Sequence, residues 1–201
     1  MPPKKGQRQA RGLARQDQIL DVAFDLFANN GVRQTTIAAV ADRVGLSEAG
    51  VLHHFTSKEE LLLAVLHRAD ASFPDTEAWI AEPGGGAESL RRMFASGEVL
   101  VDRPMLCRLR LVVGNEALAA EGPARDYVKK RLANIRRSFV MMLREGIRRG
   151  EFRDDIDVHK HATEIIAFME GIQIQWLLDP EGIDLVGAYR SFAEELIDQL
   201  A

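Results

Sequence analysis

The side chains able to do covalent or metal chemistry are few in this sequence, and their spacing does not suit it. His53 and His54 are adjacent. Neighbours on a helix point about 100° apart, so this pair cannot easily chelate one ion. His159 and His161 stand beside Asp155 and Asp157 at what reads as a helix start, where such residues serve as caps and surface groups. Cys107 is the single cysteine, which excludes an internal disulfide and a Cys-based zinc site. It reads as a small core residue. No Glu-x-x-His motif occurs on any helix, and no Ser/His/Asp set can be recognised. Neither a catalytic centre, nor a metal site, nor a cofactor is expected.

What remains is charge. Acids outnumber bases by 30 to 26, for a net charge of −4, yet the excess is uneven. Between Met1 and Gln16 stand Lys4, Lys5, Arg8, Arg11 and Arg15 with no acid, spaced by Pro2, Pro3, Gly6 and Gly12. This reads as a flexible basic arm over residues 1–14. On an acidic protein such an arm suits a polyanionic partner, or else it is a solvated tail. The remaining composition, 46% apolar and 28% charged, is that of a globular chain. Its 201 residues can bury a sizeable core as one large domain or two small ones. Asp21 and Asp25 break the first apolar run, so no leader peptide is expected. No stretch reaches the roughly 20 apolar residues of a membrane span, and a soluble, cytoplasmic protein without a membrane partner is expected.

Helical periodicity runs almost throughout the chain. Ile19, Val22, Ala23, Leu26 and Phe27 share one face, and Asn30-Gly31 ends that helix. Thr36 caps a short helix with Ile37, Val40, Ala41 and Val44 inward, which Gly45 breaks. Ser47 caps another, ending near Phe55. Ser57-Lys58-Glu59-Glu60 is a capping box, in which serine and glutamate satisfy each other's backbone donors. It opens a helix with Leu61, Leu62, Val65 and Leu66 inward that ends before Pro74. Pro83-Gly84-Gly85-Gly86 reads as a flexible segment. Further helices are expected near 87–101, 104–120, 123–149, 157–178 and 184–200. The fold class is therefore all-α, with an N-terminal unit over residues 15–60 and a larger helical bundle over 61–201.

Three short helices joined through Gly45-Leu46-Ser47 describe a helix-turn-helix. Ala41 supplies the small residue where helices cross, and Gly45 the tolerant backbone. Val40, Val44, Leu46 and Val51 can form its core. The residues go further than this geometry. The stretch from Gly31 to Leu62 resembles the DNA-binding signature of the tetracycline-repressor (TetR-like) family at Gly31, Thr35, Thr36, Val40, Ala41, Gly45, Leu46, Ser47, His54, Phe55, Lys58 and Leu61. That covers about a quarter of the chain. The all-helical remainder, with Gly171 before Trp176-Leu177-Leu178, resembles the family's ligand-binding and dimerisation domain.

The resemblance implies double-stranded DNA as partner, with phosphate contacts from Thr36, Ser47, His54 and Lys58. Helix N-termini attract anions, which agrees for Thr36 and Ser47. Base edges would meet Glu48, Ala49, Gly50 and His53 on the recognition helix. Three positions depart from the family pattern. Ala38 stands where a basic residue is usual, Glu48 where a basic or polar one is, and Leu52 where a tyrosine is. They shift the expected contacts toward Lys58, Arg33, Arg43 and the basic arm.

The C-terminal helices are rich in bulky, soft side chains. Phe94, Leu109, Val113, Phe139, Met142, Phe168 and Trp176 read mainly as core, and the resemblance implies that some line an effector cavity. Arg110, Asn115, Glu116 and Gln173 are the polar groups best placed to orient an apolar or amphipathic small molecule there. The last two helices carry more apolar residues than one face must bury: Ile165, Phe168, Ile172, Leu177 and Leu178, then Leu185, Tyr189, Phe192, Leu196 and Ile197. A homodimer through these helices is expected. The whole reads as a ligand-responsive transcriptional repressor on a pseudo-palindromic operator. Its rivals are an activator or architectural DNA-binding protein without a ligand and, remotely, an all-α enzyme.

Overall fold

The computed structural model describes residues 5–71, 85–119 and 121–201. Among them lie ten helices and no strand: α1 Lys5–Gln34, α2 Ile37–Val44, α3 Glu48–Leu52, α4 Lys58–Asp70, α5 Gly85–Ala95, α6 Gly97–Asp102, α7 Pro104–Leu118, α8 Pro123–Arg148, α9 Val158–Leu178 and α10 Leu185–Leu200. The chain forms two compact units, residues 1–72 with 108–128 and residues 73–107 with 129–201.

The first unit is built on α1. Its backbone is helical from Lys5, so the flexible arm expected over 1–14 is helical across most of its length. Lys, Arg, Gln and Ala are good helix formers, and the two glycines among them do not outweigh the rest. Lys4 lies outside the described residues. Gly31, at φ +82° and ψ 167°, interrupts α1 where Asn30-Gly31 predicts its end. Ile19, Ala23 and Phe27 of α1 are fully buried, together with Val40, Val51, Leu61 and Val65. Burying each of these side chains other than Ala23 contributes about 1.5–3 kcal/mol. The cap opening α4 differs in one respect from the expected box. Ser57 Oγ accepts from Glu60 N–H at 3.0 Å, but the Glu60 carboxylate reaches past Ser57 to the N–H and hydroxyl of Thr56, each at 2.6 Å. These two donors hold the Glu60 carboxyl below its ordinary pKa.

The second unit is centred on aromatic rings. Phe94 meets Tyr189 edge-on at 5.5 Å and Phe139 at 6.3 Å, while Phe168 and Phe192 stack at 3.9 Å. Two expectations need correction here. Gly85 and Gly86 are not a flexible link but the buried first turn of α5. A Cβ on Gly86 would lie 2.3 Å from the Met142 carbonyl and 2.4 Å from Gly146 N, so glycine lets α5 cross α8 in backbone contact. Pro83 and Gly84 lie outside the described residues. The single helix expected over 87–101 is two, α5 and α6. They break at Ser96-Gly97, where the Tyr189 ring occupies the space a Gly97 side chain would need. Asp157 accepts from the N–H groups of His159 and Lys160 at 3.0 Å, which makes it the cap of α9.

Candidate nucleic-acid interface

Two hydroxyl-capped helix starts flank a tight turn. Thr36 lies in extended conformation and its Oγ1 accepts from Ala39 N–H at 3.1 Å. Gly45, at φ +73° and ψ 40°, ends α2, and Leu46 N–H donates to the Ala41 carbonyl at 2.9 Å. The left-handed conformation disfavours a side chain at residue 45. Ser47 Oγ then accepts from Gly50 N–H at 3.1 Å. Val51 is fully buried and fixes the roll of α3. Glu48, Ala49, Leu52 and His53 are consequently exposed, with Leu52 at 40%. His53 caps α3 at its C-terminus, so the two histidines lie just beyond the helix rather than within it. Their rings meet edge to face at 5.6 Å. His54 and Gly50 are half-buried. Arg33 and Arg43 are exposed at the ends of α1 and α2. Thr36, Ser47, Glu48, Ala49, His53, Arg33 and Arg43 are thus all at the surface of one unit.

Lys58 has partners within the protein that the sequence does not announce. Its ammonium donates to the carbonyls of Val32 at 3.0 Å and Thr35 at 3.1 Å. Val32 lies in the last turn of α1 and Thr35 just past its end, where carbonyls lack helical partners, so a cation satisfies them well. The half-buried ammonium thus has two of its three donors taken up by the turn that leads into α2. Glu116 also has another role than the ligand anchor expected of it. Both its carboxylate oxygens accept from Val32 N–H at 3.1 Å, and Oε2 accepts from Arg33 N–H at 3.1 Å. No local pattern in the sequence announces this, because the partners lie 84 and 83 positions apart.

The other expected ligand-binding residues fall into both units. In the first, Leu109 and Val113 are buried core. Arg110 pairs with Asp70 at 2.8 Å, and Asp70 also accepts from the Tyr127 hydroxyl. Asn115 is exposed and donates back to the Leu111 carbonyl at 2.9 Å. A groove of about 100 Å³ runs beside Val113 and Glu116, lined also by Arg33 and Arg125. In the second unit Phe94, Phe139, Met142 and Trp176 are buried, and Phe168 is half-buried. Gln173 is internal bonding rather than an open anchor, accepting from the Cys107 thiol at 3.4 Å and donating to the Tyr189 hydroxyl at 2.6 Å. Burial raises the Tyr189 phenol well above its ordinary pKa. A groove of about 220 Å³ between α5, α6 and α10 includes Phe94 but is otherwise lined by residues such as Arg91, Glu98 and Arg190.

Of the residues expected at a dimer interface, Ile165, Leu185, Tyr189, Leu196 and Ile197 belong to the unit's own core. Helix α10 turns this apolar face inward, which the count of apolar residues alone does not reveal. Phe168, Ile172, Leu177 and Phe192 stay half-buried, and Leu178 is 82% exposed. Among the described residues no helix is long and apolar enough to cross a membrane.

Residues 19–65 match the family model for bacterial regulatory proteins of the tetR family, and residues 88–192 match that of the tetracyclin repressor-like C-terminal domain. The HTH-type transcriptional repressor KstR2 of Mycolicibacterium smegmatis is 30% identical over 147 residues, covering 72% of this chain and 71% of its own. A transcriptional regulator from Saccharomonospora viridis, solved in complex with choline, is 26% identical. It superposes with a TM-score of 0.75 over 91% of this chain and 95% of its own. The regulator FadR of Bacillus subtilis, solved with stearoyl-CoA, shares the fold at a TM-score of 0.76 and 22% identity, over 92% and 98% of the two chains. The signature around the α2–α3 turn, the exposed face of α3 and the two matched domains agree, and the chain belongs to the tetR family of bacterial regulatory proteins, helix-turn-helix transcriptional regulators rather than enzymes.

Proposed function

We propose that this regulator is a homodimeric repressor that binds a pseudo-palindromic operator and leaves it when a small-molecule effector binds its C-terminal domain. The observation that carries the reading is the exposed face of α3, Glu48, Ala49, Leu52 and His53, held outward by buried Val51 between the capped starts at Thr36 and Ser47. Thr36, Ser47, His54, Arg33 and Arg43 contact phosphates, and Glu48, Ala49, Gly50 and His53 meet base edges. Two such helices in a dimer enter successive major grooves about 34–36 Å apart. The effector is apolar or amphipathic. Stearoyl-CoA, in one solved relative, is amphipathic, whereas choline, in the other, is a small hydrophilic cation, so together they support a small-molecule ligand without fixing its chemistry. It acts only by binding the two conformations unequally, and a 100-fold loss of occupancy needs about 2.7 kcal/mol of coupling.

Selecting duplexes from a random pool with the intact protein tests the reading. An inverted repeat with half-sites about one helical turn apart, bound by two chains, is the expected product. Enrichment of single or directly repeated sites would overturn the dimeric reading. Amphipathic compounds are then screened for release of the selected duplex, and the failure of every one to shift binding favours a regulator without a ligand.

A further inference from the structure

The turn that leads into α2 is gripped from two sides by opposite charges. On one side Val32 and Arg33 donate their backbone N–H groups to the Glu116 carboxylate of α7, all at 3.1 Å. On the other, the carbonyls of Val32 and Thr35 accept from the Lys58 ammonium of α4 at 3.0 and 3.1 Å. Between them Thr35, which is 1% exposed, donates its hydroxyl to the Gly31 carbonyl at 2.7 Å. Gly31 makes room for the arrangement, since a Cβ there would lie 2.2 Å from Glu116 Oε1.

We propose that Glu116 is a positioning residue for DNA binding: with Lys58 it clamps the 31–35 turn and thereby fixes the orientation in which α2 presents α3. The proposal rests on the DNA-binding reading above. Three features support it. The clamped residues run directly into Thr36, the cap of α2. The partners are full charges, and hydrogen bonds to charged groups are the stronger ones. They come from two different helices, so the turn is fixed against both at once. A displacement of α7 of about 0.5 Å or more would stretch these contacts beyond useful hydrogen-bond length. Any movement of α7 at Glu116 therefore loosens the segment that aims the recognition helix. Lys58, in this arrangement, serves the turn and not a phosphate.

The test uses the intact protein and the duplex that the wild type enriches from a random pool. Glu116→Ala should weaken binding about ten- to a hundredfold while leaving the fraction of active protein unchanged. In the absence of DNA, amide hydrogen exchange should accelerate at Val32 and Arg33 and stay as slow as in the wild type at Phe27. A general loss of stability would speed all three. Glu116→Gln, which keeps one accepting oxygen, should recover part of the affinity and part of the protection. Lys58→Met should weaken binding without changing its salt slope, whereas a lost phosphate contact would lower that slope by about one per subunit. Wild-type affinity in Glu116→Ala, or uniform acceleration of exchange, overturns the proposal. If Glu116→Ala does not fold, Glu116→Gln carries the test, and its full affinity with full protection of both amides would equally overturn it. A wild-type protein that enriches no duplex overturns the DNA-binding reading itself and the proposal with it.

Discussion

Gly31 and Gly45 both have positive φ, at +82° and +73°, but Gly45, at ψ 40°, is left-handed helical, whereas Gly31, at ψ 167°, is in an extended region essentially reserved for glycine, and their surroundings differ too. Around Gly45 there is open space, while Gly31 faces the Glu116 carboxylate. Alanine at residue 45 should therefore cost only the backbone term, about 1 kcal/mol. Alanine at residue 31 should cost more on both counts: about 1–3 kcal/mol for its backbone and about 1.5–3 kcal/mol for displacing a charged hydrogen bond. Urea unfolding of the two variants measures the difference, and equal costs would mean that the turn relaxes and Glu116 swings aside freely. Both glycines are legible in the sequence as breaks. The carboxylate opposite Gly31 is not, because it comes from a distant helix. The same limit hides the carbonyls that take up Lys58. A residue's type announces which bonds it can make, and only the fold decides which partner is within reach.

Another residue-level expectation concerns acid. Hydrogen bonds from Arg148, and then from Arg149, hold the Glu145 carboxyl down from 4.5 to about 2. A depressed carboxyl stabilises the folded state above its unfolded pKa and loses that contribution as pH falls through the folded one. Glu145→Gln should leave a melting temperature less sensitive to acid between pH 4.5 and pH 2 than the wild type. Equal acid sensitivity in the two proteins would show that the unfolded chain holds this carboxyl just as low.

At the scale of elements, periodicity and caps locate most of the helices. The expected 157–178 and 184–200 appear as Val158–Leu178 and Leu185–Leu200, because Asp157 and Asp184 cap their first turns. Helix α2 begins after Thr36 and α4 after Ser57 for the same reason. Packing, which no local pattern encodes, sets the remaining boundaries. A run of glycines reads as flexible, yet Gly86 is the contact point of two helices. Gly86→Ala should overpack that crossing, costing about 1–3 kcal/mol or more, since the atoms it meets are backbone and cannot rotate away. Gly114, with nothing near its Cβ position, offers the control. There alanine should gain about 0.5–1 kcal/mol from helix propensity alone. Thermal melts of both variants decide the matter, and a stabilised Gly86→Ala would mean that α5 does not lie against α8 as described.

At the scale of the whole molecule, the apolar surface left over by each unit bears on assembly. Most of the apolar residues of α10 are consumed by the second unit's own core, so it is α9 that retains an uncovered stripe. Ile174 and Leu178, 42% and 82% exposed, stand four apart on one face of α9, and Gly171 leaves open space on that same side. A partner helix could approach closely there, as four-helix dimer interfaces require. Phe192 is a poor probe of such an interface, because its ring stacks on Phe168 within the subunit and its loss would disturb that packing first. Ile174→Glu and Leu178→Glu are better probes. Each would bury an unpaired carboxylate on dimerisation, at a cost of about 3–5 kcal/mol, while leaving the subunit core intact. Sedimentation should then report monomers at concentrations where the wild type is a dimer. Affinity for a two-half-site operator should fall with dimerisation, because a monomer cannot span both grooves. Binding to a single half-site should be unchanged, since neither substitution lies in the unit that carries α3. Two variants that still sediment as tight dimers would place the interface on a surface other than this face of α9.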